Sequence, residues 1–354
     1  MNPEPTARPA SAARDRMDPE LAGALTGMPY VGLADPGAAR AAMRDLVAVL
    51  SEPASDERVE VADREVPGPP GAPPVPVRTY RPRWAPGASP SRAPAAEGGP
   101  EPGRDRSPVL VYFHGGGFVT GDLGNEHARC LDIAADGIAV VSVDYRLAPE
   151  HPFPAGFLDC YAATVWAYEH AAELGADPSR IAVGGGSAGG GLAAAVALRA
   201  RDENGPPLAF QLLLYPVLDD RMDTPSMRAF TEPPLFNRGD VAHMWRHYLK
   251  GSPDAASRGA PVYAAPARAG DLRGLPPAYV LAAEFDPLRD EDLDYARRLI
   301  EAGVPTELRH VPGVYHGFDG VVQARVARRA LAEQRRALRE ALGSAGRVLD
   351  ITVD

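Results

Sequence analysis

The chain has 354 residues, of which 45% are hydrophobic and 24% are charged. These values are ordinary for a folded protein and exclude a disordered, collagen-like or coiled-coil chain. The formal net charge of −10 excludes nucleic acid as a general partner, because binding to phosphate backbones depends on a basic surface. The N-terminus has no apolar signal-peptide core, and no apolar run approaches the roughly 18 residues of a membrane span, which predicts a soluble cytoplasmic protein.

The first third of the chain predicts a tail, cap helices and the edge of a sheet. Residues 1–20 are rich in Pro, Ala and Arg and are predicted to form a disordered tail. Residues 21–55 include the amphipathic pattern AARAAMRDLVAVLSE after a Pro-Gly turn and are predicted to form cap helices. Alternating runs near residues 60 and 80 predict two antiparallel strands. Residues 84–107 contain little apolar bulk and predict an exposed loop without chemistry.

Beyond that loop, continuous apolar runs alternate with helical patterns. Strands that are buried on both faces give such runs, so the pattern predicts an α/β fold with a mostly parallel sheet flanked by helices. Residues 217–276 interrupt the alternation and predict a cap insertion over the carboxyl edge of the sheet. The core is then formed by residues 56–216 and 277–354. The predicted strands cover 109–113, 138–145, 181–185, 209–216, 278–285 and, more weakly, 306–311, and the predicted helices cover 157–174, 188–203, 292–303 and about 326–343.

A glycine-rich turn, GGGSAGGG at 184–191, joins a predicted strand to an Ala-rich helix. It contains G-x-S-x-G at Gly185, Ser187 and Gly189. A sharp strand-to-helix turn strains the serine backbone and crowds its neighbours, so glycines two residues before and after allow the turn to close and expose the serine oxygen. Ser187 is therefore the candidate nucleophile. A phosphate-binding turn is the alternative interpretation, since the same glycines also fit the weak pattern G-x-G-x-x-G, although the chain has no Walker motif.

The predicted strand at 109–113 runs directly into the motif HGGGF, which begins at His114. Acyl transfer requires donors directed at the oxygen of a tetrahedral intermediate, and consecutive glycines let backbone N–H groups approach that oxygen. The motif resembles the oxyanion loop of lipases and esterases. We expect the oxyanion donors to be the N–H groups of Gly116, Gly117 and Ala188. His114 is interpreted as a residue that braces the loop and not as the base.

The base and the acid are sought after the nucleophile, because the α/β-hydrolase order is serine, acid, histidine. Asp286 follows the predicted strand 278–285 at the carboxyl edge of the sheet, and His316 follows a strand-like run and a Pro-Gly turn. Asp286 would fix the imidazole tautomer and stabilise the imidazolium. Asp290 is the alternative acid, but it is interpreted as a cap of the next helix. The remaining histidines are interpreted as surface or packing residues: His127, His151, His170, His243, His247 and His310.

Five motifs in order across residues 114–318 together resemble the bacterial hormone-sensitive-lipase-like family of esterases. They are HGGGF, YRLAPEHPFPA, GGSAGG, EFDPLRDE and YHGF. The resemblance implies an α/β-hydrolase fold with about eight strands and a cap built from the N-terminal helices and the insertion near 217–250. It also implies hydrolysis of short- to medium-chain acyl esters without a cofactor or metal. Gly186 departs from the family, which commonly has Asp, Thr or Ser immediately before the nucleophile.

The sequence therefore predicts a serine carboxylesterase that forms an acyl-enzyme with a small-molecule ester, and it is compatible with a homodimer. One alternative is a tailoring deacylase, amidase or acyltransferase that uses the same triad on a specialised metabolite. A second alternative is a non-catalytic ligand-binding module, which the presence of His316 disfavours. The apolar candidates for the substrate pocket are Phe118, Tyr215, Phe236 and Trp245.

Overall fold

An eight-stranded mixed sheet forms the centre of the computed structural model, which describes residues 16–50, 54–83, 106–232, 236–252 and 259–343. The strands are β1 (Val59–Val66), β2 (Val75–Pro82), β3 (Ser107–Phe113), β4 (Ala139–Val143), β5 (Ala176–Gly186), β6 (Leu208–Leu214), β7 (Ala278–Phe285) and β8 (Thr306–Tyr315). Their order in space is β1-β2-β4-β3-β5-β6-β7-β8. β2 pairs antiparallel with both of its neighbours, and the remaining pairs are parallel. The predicted mostly parallel sheet with an antiparallel edge is confirmed.

Helices cover the sheet and its carboxyl edge. The α-helices of the described ranges are α1 (Pro19–Ala24), α2 (Pro36–Leu50), α3 (His127–Ala135), α4 (Ala155–Glu169), α5 (Ala188–Asp202), α6 (Pro225–Ala229), α7 (Arg238–Tyr248), α8 (Arg289–Glu301) and α9 (Arg325–Gly343). Short 3₁₀ segments cover Leu25–Gly27, Ala171–Leu174, Pro266–Arg268 and Phe318–Gly320. No helix among these described elements is long and apolar enough to cross a membrane.

The core has two layers, one on each face of the sheet. Val109, Val111 and Phe113 of β3 belong to one apolar cluster, whereas Leu110 and Tyr112 belong to the other. This division follows from the strand geometry, in which successive side chains point to opposite faces. Residues of α4 and α5 complete the first cluster, and residues of α3 and α9 complete the second. Burial on both faces explains why these strands appear in the sequence as continuous apolar runs.

The small side chains of α5 let this helix lie against the sheet directly behind Ser187. Twelve of its 15 residues are buried, and most of them are Ala or Gly. At Gly191, an added Cβ would overlap the carbonyl oxygen of Val217, so the helix backbone and the chain after β6 lie closer together than any side chain would permit. The turn at Ser187 is consequently held between the end of β5 and a helix with little freedom to shift.

The N-terminal segment and α7 contact each other above the carboxyl edge of the sheet. Tyr30 donates its phenol proton to Asp240 of α7, with 2.9 Å between the oxygens. The imidazole Nε2 of His247 lies 3.1 Å from the carbonyl oxygen of Leu33. From α2, Arg40 donates Nε to the carbonyl oxygen of Val119 at 2.9 Å. These polar contacts place α2 over the loop that follows β3.

Two predicted segments lie partly outside the described residues, and two details of the prediction are wrong, namely the extent of the disordered tail and the turn before His316. Residues 1–15 of the predicted tail and residues 84–105 of the predicted loop are not among the described ranges. Asp18, assigned to the tail, donates its backbone N–H to the carbonyl oxygen of Gly313 at 2.8 Å. The expected Pro-Gly turn before His316 is part of β8, which continues to Tyr315. A register shift between β7 and β8 and a positive φ of 75° at Gly313 accommodate the pair within the strand.

Candidate active site

Ser187 occupies a strained backbone position between β5 and α5. Its φ is 57° and its ψ is −120°, and its N–H donates to the carbonyl oxygen of Leu214 at 2.9 Å. At Gly185, an added Cβ would lie 2.5 Å from the carbonyl carbon of Gly189 and would overlap the carbonyl oxygen of Phe113. At Gly189, an added Cβ would overlap the same oxygen. The two glycines of G-x-S-x-G are therefore required by the close approach of β3 to the turn.

Gly186 has more space around its Cα than Gly185, so substitutions at these two adjacent glycines form a matched pair. An added Cβ at Gly186 would lie 3.3 Å from Cε2 of Tyr215, so this side chain would have to move by a few tenths of an ångström and no backbone atom would be overlapped. We expect the melting temperature of Gly186→Ala to lie within about 3 °C of that of wild type. Gly185→Ala should lose about 3 kcal/mol or more of its free energy of unfolding, because the added Cβ overlaps backbone atoms. Thermal unfolding followed by circular dichroism measures both, and equal melting temperatures for the two variants would contradict the expectation.

The side chains of Ser187, His316 and Asp286 form one hydrogen-bonded chain. His316 Nε2 lies 2.8 Å from Ser187 Oγ, and His316 Nδ1 lies 2.6 Å from Asp286 Oδ2. The second carboxylate oxygen of Asp286 accepts the N–H of Leu288 at 2.9 Å. Asp286 is fully buried, and 8% of Ser187 is accessible. This arrangement is suited to nucleophilic attack with general-base assistance, because the serine oxygen is accessible and the histidine beside it is oriented by a buried carboxylate.

Asp290, the alternative acid, lies elsewhere and does not cap α8. Its Oδ2 accepts the N–H of Ser226 at 2.7 Å, and its Oδ1 accepts Nε of Arg289 at 2.8 Å. The interpretation of Asp290 as the helix cap is wrong, because α8 already begins at Arg289 and Asp290 lies in its first turn. A carboxylate there still interacts favourably with the helix dipole. Its observed contact ties α8 to α6 in the insertion.

The HGGG loop lies beside the nucleophile turn. An added Cβ at Gly115 would be 3.2 Å from the carbonyl oxygen of Gly186 and 3.6 Å from Cβ of Ser187. Gly116 and Gly117 have positive φ values of 115° and 61°. The carbonyl oxygen of Gly116 accepts the N–H of Thr120 at 2.9 Å, which closes the loop as a turn. Within the described chain, no hydrogen bond uses the N–H groups of the three expected donors, Gly116, Gly117 and Ala188.

His114 braces this loop, in agreement with its interpretation from the sequence. Its Nδ1 lies 2.7 Å from the carbonyl oxygen of Gly115, and its ring stacks on Tyr145 with 4.2 Å between centroids. The Tyr145 hydroxyl donates to the carbonyl oxygen of His114 at 2.8 Å. Burial lowers the pKa of His114 to about 4, so the imidazole is neutral at physiological pH. It braces the loop, and no hydrogen bond between described residues joins it to Ser187.

A cavity of about 300 Å³ opens above Ser187 and His316 and extends beneath the N-terminal segment. The sequence pattern predicted cap helices there but identified none of the residues of the N-terminal segment that line the cavity. Ala39 is the one residue of α2 that is buried in the core, so the apolar face of this helix is directed at the cavity. The amphipathic pattern of this helix was the feature of the sequence that could have indicated a cavity wall, because its apolar face has no partner in the core. The lining residues of the N-terminal segment include Met28, Tyr30, Leu33, Met43, Leu46 and Leu50.

Two of the four predicted pocket residues lie at this cavity and two do not. Tyr215 and Phe236 line it, and their ring centroids lie 4.9 and 4.5 Å from that of His316. Phe118 is instead stacked on Tyr248 at 3.8 Å. Trp245 packs against the same pair and is 5% accessible. The positive φ of 61° at Phe118 belongs to a turn in which this side chain packs against α7, so the assignment of Phe118 and Trp245 to the pocket wall is not retained.

A charged cluster at the same cavity was not predicted from the sequence. Arg129 donates Nε to Glu126 at 2.9 Å and Nη1 to Asp319 at 3.2 Å. Asp319 also accepts the phenol proton of Tyr215 at 2.6 Å. Burial alone would raise the pKa of Asp319, but Arg129 and the hydrogen bonds to the carboxylate lower it below its ordinary value. The only available signal was the i, i+3 spacing of Glu126 and Arg129, which does not identify a cavity.

Residues 110–320 match a family model described as the alpha/beta hydrolase fold. The chain is 42% identical over 308 residues to the esterase LipI of Mycobacterium tuberculosis, covering 86% of this chain and 88% of that protein. It is 40% identical over 337 residues to the carboxylesterase NlhH of the same organism, covering 93% and 98%. The solved structure of a bacterial heroin esterase matches with a TM-score of 0.84 at 44% identity, covering 93% of this chain and 99% of that one.

Proposed function

We propose that Ser187, His316 and Asp286 form the catalytic triad of this chain, which belongs to the hormone-sensitive-lipase-like family of the α/β-hydrolase fold. The chain is a carboxylesterase of the serine type. The observation that carries the proposal is the continuous hydrogen-bonded chain from Ser187 Oγ through the imidazole to the buried carboxylate. We further propose short- to medium-chain acyl esters as its substrates.

In the first half of the reaction, Ser187 Oγ attacks the ester carbonyl carbon while His316 Nε2 accepts the hydroxyl proton. The carbonyl oxygen becomes an oxyanion, and the N–H groups of Gly116, Gly117 and Ala188 donate to it. Asp286 stabilises the imidazolium that forms and does not itself take the proton. The intermediate then collapses, the imidazolium gives its proton to the leaving alcohol, and the acyl group remains bonded to the serine oxygen.

In the second half, a water molecule attacks the acyl carbon while His316 accepts one of its protons. The same backbone donors hold the second oxyanion. Collapse of this intermediate breaks the bond to Ser187 Oγ, returns the proton to that oxygen and releases the carboxylic acid. The freedom of the Gly116, Gly117 and Ala188 N–H groups from other hydrogen bonds within the described chain supports their role in both halves.

The preference for short and medium acyl chains is supported by the size and lining of the cavity. Its volume of about 300 Å³ lies at the lower end of the range for small-molecule sites. Apolar side chains from α2, including Leu46 and Leu50, line the side opposite the sheet. An acyl chain of a few methylene groups would exchange water contact for these side chains, at roughly 0.8 kcal/mol for each buried methylene. A much longer chain would have to leave the cavity.

The proposal is tested with the p-nitrophenyl esters of acetate, butyrate, octanoate and palmitate. We expect kcat/KM for butyrate or octanoate to exceed that for palmitate by about tenfold or more, since a difference of roughly 1.4 kcal/mol in transition-state binding has that effect. Ser187→Ala serves as the blank, and folding of the variant is checked by circular dichroism. Turnover that persists in a folded Ser187→Ala variant would reject the nucleophile, and equal turnover of palmitate would reject the chain-length assignment.

A further inference from the structure

The cavity above the nucleophile has an unequal distribution of charge. Apart from His316, the ionic side chains that line it within the described residues are Glu126, Arg129 and Asp319. Arg129 lies between the two carboxylates and pairs with both, at 2.9 Å to Glu126 and 3.2 Å to Asp319. Two negative groups and one positive group leave a formal charge of −1 on this wall. The rest of the lining is neutral.

Glu126 is the less well compensated of the two carboxylates. The Asp319 carboxylate is fully buried and accepts hydrogen bonds from Tyr215 at 2.6 Å, Gln334 at 2.8 Å and Arg129. The Glu126 carboxylate accepts a hydrogen bond from Arg129 at 2.9 Å, the Tyr112 hydroxyl lies near enough to lower its pKa, and 20% of the Glu126 side chain is accessible. Burial raises the pKa of Glu126, the sign of a carboxylate that its surroundings stabilise incompletely.

Aromatic rings also line the cavity and favour one class of partner for this carboxylate. Tyr30, Tyr215, Phe236 and Tyr315 contribute to the lining. Faces of aromatic rings attract ammonium groups, and sites for quaternary ammonium ligands commonly use them. A partly dehydrated cavity that is lined by a carboxylate and by several aromatic rings is better matched to a cation than to a neutral or anionic group.

We propose that Glu126 makes the enzyme select esters that carry a positively charged nitrogen over neutral esters of the same shape. The inference rests on the proposed function, because it requires the ester to occupy the cavity between Ser187 and α2. Glu126 contacts the cationic end of the substrate and takes no part in bond breaking. An anionic ester would meet repulsion at the same wall, so the order of preference is cationic, neutral, anionic.

Two pairs of substrates that differ only in replacing the quaternary nitrogen by carbon test the proposal. The first pair is acetylcholine and 3,3-dimethylbutyl acetate, which places the charge on the alcohol side. The second pair is the p-nitrophenyl esters of 4-(trimethylammonio)butyrate and 5,5-dimethylhexanoate, which places it on the acyl side. The readout is the ratio of kcat/KM, cationic over neutral, at about 0.2 M salt so that long-range steering is screened.

We expect Glu126→Gln to lower this ratio by about tenfold in at least one pair, as loss of a partly dehydrated ionic contact would. The amide oxygen of the glutamine can still accept from Arg129. Asp132→Asn is the matched control, because it removes one negative charge from α3, which begins directly after Glu126, at a side chain that is 63% accessible and pairs with Arg335. An unchanged ratio in Glu126→Gln, or an equal fall in Asp132→Asn, would overturn the proposal.

A measurement on the wild type keeps the test independent of the stability of the variant. We expect tetramethylammonium to inhibit hydrolysis of p-nitrophenyl acetate competitively at a concentration at least tenfold below that of its neutral analogue tert-butanol, and equal potency would overturn the proposal. Ser187→Ala separates the two levels of inference. Hydrolysis that survives Ser187→Ala rejects the proposed function, whereas hydrolysis that depends on Ser187 with an unchanged charge ratio in Glu126→Gln rejects only the role of Glu126.

Discussion

His316→Ala should lower kcat for p-nitrophenyl butyrate by about 10⁴- to 10⁶-fold, the range expected when the general base of a serine hydrolase is removed. The imidazole is the one group within hydrogen-bonding distance of Ser187 Oγ among the described side chains, at 2.8 Å. Without it, the serine hydroxyl keeps its proton and is a weak nucleophile. The rings of Tyr215 and Phe236 that flank the imidazole should remain in place, so the free energy of unfolding should change little.

The measurement is steady-state hydrolysis with thermal unfolding of each variant as the check on folding. His151→Ala is the matched control, because His151 is exposed and lies outside the cavity, and we expect its activity to match wild type. Added imidazole should restore part of the activity of His316→Ala, since it can enter the vacated position between the two rings. Activity of His316→Ala within 100-fold of wild type would be incompatible with its role as the base.

Asp286→Asn should lower kcat by about 10⁴-fold, the effect known for such a change in a serine protease. Asp286 Oδ2 accepts the proton of His316 Nδ1 over 2.6 Å, which leaves Nε2 free to accept from Ser187. An asparagine can present its NH₂ group to Nδ1 and so favour the opposite tautomer, in which Nε2 carries the proton and cannot act as a base. The amide oxygen of the asparagine can still accept from the N–H of Leu288, so the loop should keep its shape.

Asp290→Asn is the control for this prediction, because it makes the same chemical change four residues away, in the first turn of the helix that follows the Asp286 loop. Asp290 contacts Ser226 and Arg289 and has no hydrogen bond to the histidine. We expect kcat of Asp290→Asn to remain within tenfold of wild type, with a small loss in melting temperature from the weakened contact to α6. Equal losses of activity in the two variants would reject the assignment of Asp286 as the orienting acid.

The position of Tyr215 in the pocket was predicted correctly, but its polar contacts were not. Its aromatic character predicted a pocket wall, and it does line the cavity. Its ring edge also contacts His316, and its hydroxyl donates to Asp319 at 2.6 Å. Asp319 in turn pairs with Arg129, which is 190 residues away in the chain. Nothing in the local sequence of any one of these residues indicates the other two.

The sequence by itself determined the strands of the sheet, the turn at Ser187 and the glycine loop, because each depends on neighbours within a few residues. The glycines around Ser187 are required by backbone overlap, and continuous apolar runs follow from burial on both faces of the sheet. Only the tertiary structure decided which side chains share the cavity. Phe118 is turned toward α7, α2 forms the opposite wall, and Arg129 meets Asp319 there. These placements arise from packing between segments distant in the chain, and local periodicity carries no information about it.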